Sequence, residues 1–304
     1  MDEGVPTLPH QAVLIREAAE GLNLEPGDTI LDATVGGAGH ALEVLPRILP
    51  GGRLIGIDQD SMAIELARQA LRNFKNSAIL VNSNFRNLDK VLKDLGIDRI
   101  GGALFDLGIS SYQLEDASRG FGIKVESRLD MRMDTRSHLS AFDVVNRMSE
   151  RELADIIFKF GEEPFARRIA RAIAQERARH PISSTKELAR ITAGAIRIRR
   201  RRQKIHPATR TFQAIRIYVN DELGALEEGL EKAIGHLDPS ARVVVISFHS
   251  LEDRIVKETF KKMQEQGILK TITKKPVTPS RAEILLNPRS RSAKLRVAEK
   301  VAAV

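Results

Sequence analysis

The apolar positions of the first hundred residues follow two patterns in turn. Short continuous runs, "DTILDATV" (28–35), "RLIGID" (53–58), "SAILVN" (77–82) and "GGALFD" (101–106), read as buried strands. Between them "HALEVLPRIL" reads as a helix, and "SMAIELARQALRNF" carries Met62, Ile64, Leu66, Ala70 and Leu71 at helical spacing. Continuous apolar strands alternating with helices predict a parallel sheet covered on both faces, with right-handed crossovers.

After Asp106 the alternation stops. Three amphipathic runs follow, "ERELADIIFKF", "PFARRIARAIAQERAR" and "STKELARITAGAI", and Ser184 and Glu187 have capping-box spacing. Strand character returns at "RVVVISF" (242–248), reached through one long predicted helix, "TFQAIRIYVNDELGALEEGLEKAIGHL". A helix, "LEDRIVKETFKKMQEQ", a strand, "ILKTIT", a polar loop and a last strand, "AKLRVAE", complete the chain. The pattern predicts one α/β sheet interrupted by an inserted helical domain. The boundaries are 1–111 for the first part of the core, 112–209 for the insertion and 210–304 for the second part.

The loop after the first strand, "VGGAGHA", lets the backbone approach a ligand and leads into a helix N-terminus with free amides. The second strand ends on Asp58, placed to bind both hydroxyls of a ribose. Together they indicate an adenosine-containing ligand. The dinucleotide fingerprint does not fit, because the frame starting at Gly37 puts Leu42 where a third small residue belongs. Seven strands, the last inserted antiparallel, are what a class I methyltransferase would show. Phe85, just past the third strand, is placed either to pack on an adenine or to join the core.

Charge narrows the partner. The chain is +8 overall, but Pro164 to Arg216 holds 15 Lys and Arg against Glu176 and Glu187 alone. The run "RIRRRRQK" concentrates like charge that attracts a polyanion, so RNA or DNA is the expected partner. With no cysteine, neither a disulfide framework nor a thiolate metal site is available, and no metal ligands are assigned. The N-terminus "MDEGVPTLPH" is acidic, and no apolar run reaches the roughly 18 residues of a membrane span. A cytoplasmic protein without membrane attachment is expected.

Several longer stretches carry a family likeness. "DLGISSYQL", "RGFG…LDMRMD", "GEEPFARRIARAI", "HPATRTFQAIRIYVN", "SFHSLEDRIVK" and "NPRSRSAKLR" resemble the RsmH (formerly MraW) family, from His10 to Arg296. The resemblance implies S-adenosylmethionine as methyl donor, a class I core and an inserted domain that helps hold RNA. It also implies methylation of the exocyclic N4 of a cytosine at the decoding site of small-subunit ribosomal RNA, naked or within a subunit. Matched motif by motif, it assigns Ala38, Gly39, His40, Asp58, Phe85, Asp106 and Gln113 to the donor. Ala38 stands where many members have Gly, and Ser127 and Arg128 stand where Gly-Pro is common.

The exocyclic amine of cytosine is a poor nucleophile, since its lone pair is delocalised into the ring. Acceptors must orient it and take its proton. Asp106, at the end of the fourth strand, is such an acceptor, a ligand of the donor, or a structural cap. His249, at the end of the fifth, is a candidate proton acceptor near pH 7. Ser110 and Ser111 are candidate contacts to a base or to the methionine moiety, or helix caps. Ser250 and Asp253 have capping-box-like spacing. Arg199, Arg200, Arg201, Arg202, His206 and Arg210 are candidate RNA contacts, with Pro207 placing His206 before its helix. The alternatives are a DNA amino-methyltransferase, disfavoured by the missing Pro-Pro-aromatic signature, and a non-catalytic RNA-binding protein, disfavoured by the intact Gly39, Asp58 and Asp106.

Overall fold

The structure is a computed structural model that describes residues 12–196 and 206–302. Helix α1 (Ile15–Leu22) is followed by β1 (Thr29–Asp32), α2 (Gly39–Ile48), β2 (Arg53–Asp58), α3 (Ser61–Ala70), β3 (Ala78–Asn82), α4 (Leu88–Asp94) and β4 (Ile100–Asp106). Six helices come next: α5 (Ser111–Glu115), α6 (Ala141–Arg147), α7 (Glu150–Gly161), α8 (Ala166–Arg177), α9 (Thr185–Ala195) and α10 (Thr209–Asn220). Then α11 (Glu222–His236) leads into β5 (Leu237–Ser247), α12 (Ser250–Glu265), β6 (Leu269–Thr271), α13 (Arg281–Leu286) and β7 (Lys294–Lys300). Among the described residues no helix is long and apolar enough to cross a membrane.

The chain divides into two compact units, Met1–Ser110 with Leu223–Val304, and Ser111–Glu222. In the first, seven strands run in the order β3-β2-β1-β4-β5-β7-β6. All are parallel except β7, which pairs antiparallel with β5 and β6. This is the class I methyltransferase sheet. Because successive side chains of a strand point to opposite faces, each strand feeds two cores. Leu31, Ile55, Phe105 and Val245 face α4, α11 and α12, whereas Ile30, Leu54, Leu104 and Val244 face α1, α2 and α3. Strands buried on both faces read as unbroken apolar runs. Their carboxyl ends carry Asp32, Asp58 and Asp106.

In the second unit α7 packs between α8 and α10. Gly161 permits this approach, since a Cβ there would meet the Arg210 carbonyl oxygen at 2.6 Å. Capping boxes start α6 at Ser140 with Asp143 and α7 at Ser149 with Glu152. Ser184 caps α9 by accepting the Glu187 N–H at 3.2 Å. Glu187 does not complete the box, because its carboxylate accepts from Ser183 N–H at 3.0 Å and contacts His180 Nε2 at 2.7 Å. Ser127 and Arg128 join a turn in which Ser127 N–H donates to Thr185 Oγ1 and Arg128 bridges to Ser184.

The helix expected over 211–237 is two helices. Asp221, at φ 46, breaks it between α10 and α11. The insertion therefore ends near 222 instead of 209, and the core resumes at Leu223 instead of 210. The reason is packing: Phe212, Ile215 and Val219 of α10 are buried within the helical unit, and α10 lies against α7. Asp221 in a left-handed conformation is a helix stop that apolar periodicity alone does not reveal.

Candidate active site

The loop leaving β1 is tied to both neighbouring strands. Ala33 N–H donates to Leu104 O and Val35 N–H to Ile57 O, each at 2.9 Å. Gly36 turns at φ 50, and its N–H donates to Asp58 Oδ2 at 3.0 Å. Asp58 Oδ1 accepts the Asp60 N–H at 2.9 Å, so backbone amides fix this carboxylate at the tip of β2. Ala38 adopts φ 68 as the N-cap of α2, a left-handed position that favours glycine, which accounts for the glycine common there in the family it resembles.

The glycines of this loop serve different ends. Among the described residues a Cβ at Gly37 would meet nothing within 4 Å beyond its chain neighbours, so their packing does not require glycine there. A Cβ at Gly39 would lie 2.7 Å from the Ala12 side chain, so that glycine is explained by α2 seating residue 12. His40, expected at the donor, is buried, and its Nε2–H donates to the Val13 carbonyl at 3.0 Å. Gly39 and His40 thus anchor the segment before α1 as well as opening the helix at the loop.

Three acids gather at the strand tips. Asp32 is 2% exposed, and its Oδ1 accepts the Thr34 N–H at 3.2 Å. Thr34 Oγ1 in turn accepts the Asp106 N–H at 2.6 Å, linking the ends of β1 and β4. The Asp106 side chain keeps 17% exposure; its Oδ2 lies 3.6 Å from His40 Nδ1, beyond hydrogen-bond reach. Its Oδ1 is buried with no hydrogen-bond partner among the described residues. Burial pushes Asp106 up to about 8, helped by the nearby Glu252 carboxylate. Burial also raises Asp32 to about 7, with His40 opposing and Asp106 and Asp58 adding to the shift. The same burial lowers the His40 pKa. The pocket is rich in acceptors and short of compensating cations.

Beside it, the turn after β3 is bound to the β2 tip. Ser83 N–H and Asn82 Nδ2 donate to the Asp58 carbonyl at 3.0 and 2.9 Å, and Asn84 Nδ2 donates to Gln59 Oε1 at 2.8 Å. Phe85, the next residue, meets Phe105 edge-on with centroids 5.6 Å apart. One side of its ring is core packing, and its turn is bonded to the backbone of Asp58, the residue expected to hold a ribose.

His249 has a structural role that its sequence position did not announce. It is the N-cap of α12: its Nδ1 accepts the Glu252 N–H at 3.3 Å, and Glu252 Oε2 accepts from Phe248 N–H at 2.8 Å and His249 N–H at 3.3 Å. His249 Nε2 sits 3.0 Å from Glu252 Oε1 without hydrogen-bond geometry. Nδ1 is thus used by the cap, while Nε2 is buried without a hydrogen-bond partner among the described residues. The cap is accordingly His249 with Glu252, not Ser250 with Asp253. Asp253 instead binds Lys294 Nζ at 2.8 Å and Arg296 Nε at 2.7 Å.

The other expected residues lie as follows. Ser110 is half-buried at the end of the core unit, and Ser111 opens α5 of the helical unit. Gln113 is a buried residue of α5. His206 precedes α10, its Nδ1 accepting the Ala208 N–H at 3.2 Å. Arg210 is exposed and donates to the Glu162 carbonyl at 3.0 Å. Arg199, Arg200, Arg201 and Arg202 fall outside the described residues. Asp32, Thr34 and Glu252 were not anticipated. An acid ending an apolar strand, as in "ILD", is the signal that marks Asp32; nothing local marks Glu252.

The methyl donor implied by the sequence carries sulfonium and ammonium cations, and this pocket fits it. Asp32 and Asp106 are buried carboxylates at neighbouring strand tips, an environment that welcomes cations, and Gly37 leaves room beside them in the loop after β1. Comparison with known proteins agrees. The MraW methylase family matches residues 7–301. A ribosomal RNA small subunit methyltransferase H from Sulfurihydrogenibium is 50% identical over 292 residues, spanning 96% of this chain and 99% of its own. The proteins of that name from Syntrophus aciditrophicus and Brevibacillus brevis are 48% and 47% identical over 307 residues, each spanning 96% of this chain and 98% of its own. With near-complete coverage on both sides, the chain belongs to the MraW methylase family, whose methyl donor is S-adenosylmethionine.

Proposed function

We propose that the protein methylates the exocyclic N4 of a cytosine at the decoding site of small-subunit ribosomal RNA, as free RNA or within an assembling subunit. The names of its relatives support small-subunit ribosomal RNA as the substrate class. The observation that carries the chemistry is Asp106: a strand-tip carboxylate with one buried oxygen lacking a hydrogen-bond partner. S-adenosylmethionine supplies an electrophilic methyl group. The chain supplies the acceptor: Asp106 takes a hydrogen bond from the cytosine amine, orients its lone pair, and receives the proton released when nitrogen becomes bonded to carbon.

A cationic donor beside Asp106 favours the ionised carboxylate, opposing the burial that raises its pKa to about 8. Asp58 is the reading's ribose ligand, Ala38 and Gly39 its loop, and Gln113 a further donor contact. Exposed cations of the helical unit, with Arg199 to Arg202, Arg210 and His206, hold phosphates and position the RNA. The test is nucleoside mass spectrometry with site mapping on small subunits from cells lacking the protein, before and after treatment with it. N4-methylcytidine restored at one decoding-site cytosine supports the proposal; methylation of another base or another RNA refutes it.

A further inference from the structure

Helix α11 presses on the Phe85 turn at several points. Gly229 is buried, and a Cβ on it would lie 2.5 Å from Phe85 Cδ2, 3.2 Å from Cε2 and 3.3 Å from the Phe85 carbonyl oxygen. One helical turn on, Lys232 Nζ donates to the Arg86 carbonyl at 2.5 Å and lies 3.4 Å from Asp89. Arg86 Nη2 reaches back to Glu228 at 3.2 Å. Retreat of the ring into the sheet is closed by Phe105, which is fully buried. Glycine inside a helix costs stability relative to alanine, about 1 kcal/mol, so a buried one needs a reason. Here the ring fills the place of the missing side chain. The same turn is bonded to the Asp58 carbonyl, so what α11 fixes is the geometry between Phe85 and Asp58.

We infer that Gly229 and Lys232 are positioning residues for the methyl donor, setting the Phe85 ring and its turn against Asp58. The inference rests on the proposed reading of Phe85 as a wall of the donor pocket. A methyl group at position 229 must push the ring away from α11, because a contact of 2.5 Å has to open by about 1 Å to reach ordinary van der Waals distance. The adenosine end of the pocket is then misplaced while the strand-tip acids keep their geometry. Donor binding should suffer and turnover should not.

Gly235 of the same helix is the control. A Cβ there meets nothing within 4 Å. Calorimetric donor binding and steady-state kinetics on small subunits are measured for Gly229→Ala, Gly235→Ala, Phe85→Ala and the Gly229→Ala/Phe85→Ala double variant. Gly229→Ala should raise the donor Kd and KM about tenfold with kcat within about twofold, an overpacking effect. Gly235→Ala should bind the donor like the parent. The double variant should bind no more weakly than Phe85→Ala alone, because removing the ring gives the new methyl room. If Phe85→Ala leaves donor affinity unchanged, the reading of Phe85 fails and the inference fails with it. If Phe85→Ala weakens binding and Gly229→Ala does not, or if the two effects simply add, the inference fails alone. Should Gly229→Ala not fold, Lys232→Met keeps the aliphatic stem and removes the donor to Arg86; an unchanged donor KM in that variant overturns the inference.

Discussion

The two units of this protein handle charge in opposite ways. The sheet unit is balanced, with 25 Lys and Arg against 25 Asp and Glu, while the helical unit carries 23 against 15 and so holds the whole net charge of +8. The placement differs as much as the count. In the sheet unit Asp32 and Asp106 are withdrawn from water at strand tips, where burial raises their pKa values to about 7 and about 8. In the helical unit Arg151, Lys159, Arg167 and Arg168 stand exposed. A few carboxylates in a dry pocket discriminate a small cationic ligand, since each interaction there is strong and geometrically fixed. Many cations in water grip a polyanion without reading it, since counterion release rewards number more than geometry. In the proposed function the sheet unit brings its strand-tip acids to the donor and the helical unit takes the RNA.

Variants that strike one unit and spare the other test this division. The largest effect belongs to Asp106→Asn, which keeps size and an accepting oxygen but removes the charge and the basic group: turnover at saturating donor should fall about a hundredfold or more, the scale of a lost general base. Single-turnover kinetics check it, and a rate within a factor of two of the parent would leave Asp106 a structural residue. Asp58→Ala comes next. Loss of charge-assisted hydrogen bonds to a ribose, about 1.5–3 kcal/mol, should weaken donor binding at least tenfold while RNA affinity stays put. Calorimetric titration of each ligand shows whether the effect stays in the sheet unit.

Replacing Arg199, Arg200, Arg201 and Arg202 with Ala is the converse. If all four contact phosphates of a single strand, the slope of log affinity against log salt should flatten by about three. Donor affinity should be unaltered. A parental slope would remove these residues from the RNA contact and shift the burden to the exposed helical arginines.

The smallest effect is in pH dependence. A carboxyl whose pKa is raised in the folded chain gives its full stabilisation below the unfolded value of about 4, and loses it as pH climbs through the folded value. The free protein should therefore lose thermal stability as pH rises from about 5 to about 8, and Asp106→Asn should flatten that decline. Donor affinity should move the other way, strengthening over the same range as the acids ionise toward a cation. A parent whose melting temperature is level across that window would show that Asp106 is ionised without cost.

Much of this was legible in the chain. The runs 53–58 and 101–106, the glycine loop and Asp58 all follow from local pattern, because a strand buried on both faces has no polar position to spare. The placement of Asp106 at a strand tip was equally visible. Less visible was the state of that tip. That His249 also caps α12 with Glu252 was hidden because Glu252 is a surface-like residue in sequence and is buried only by the fold. Gly39 reads as a ligand contact, and only the fold shows that Ala12, 27 residues away, also needs the space at its missing side chain. Asp221 sat within an apolar helical rhythm that its left-handed backbone interrupts.

By itself the sequence determined the alternation of strands and helices, the basic insertion and the types of chemical group at the strand ends, since each depends on residues near in the chain. Only the tertiary structure decided which of those groups are paired. Asp106 Oδ1 is short of a partner, His249 Nδ1 is taken up by a cap, and Phe85 is held by Gly229 because strands and helices distant in sequence meet at the carboxyl end of the sheet. Desolvation and close contact are properties of that meeting, and neither can be read from neighbours along the chain.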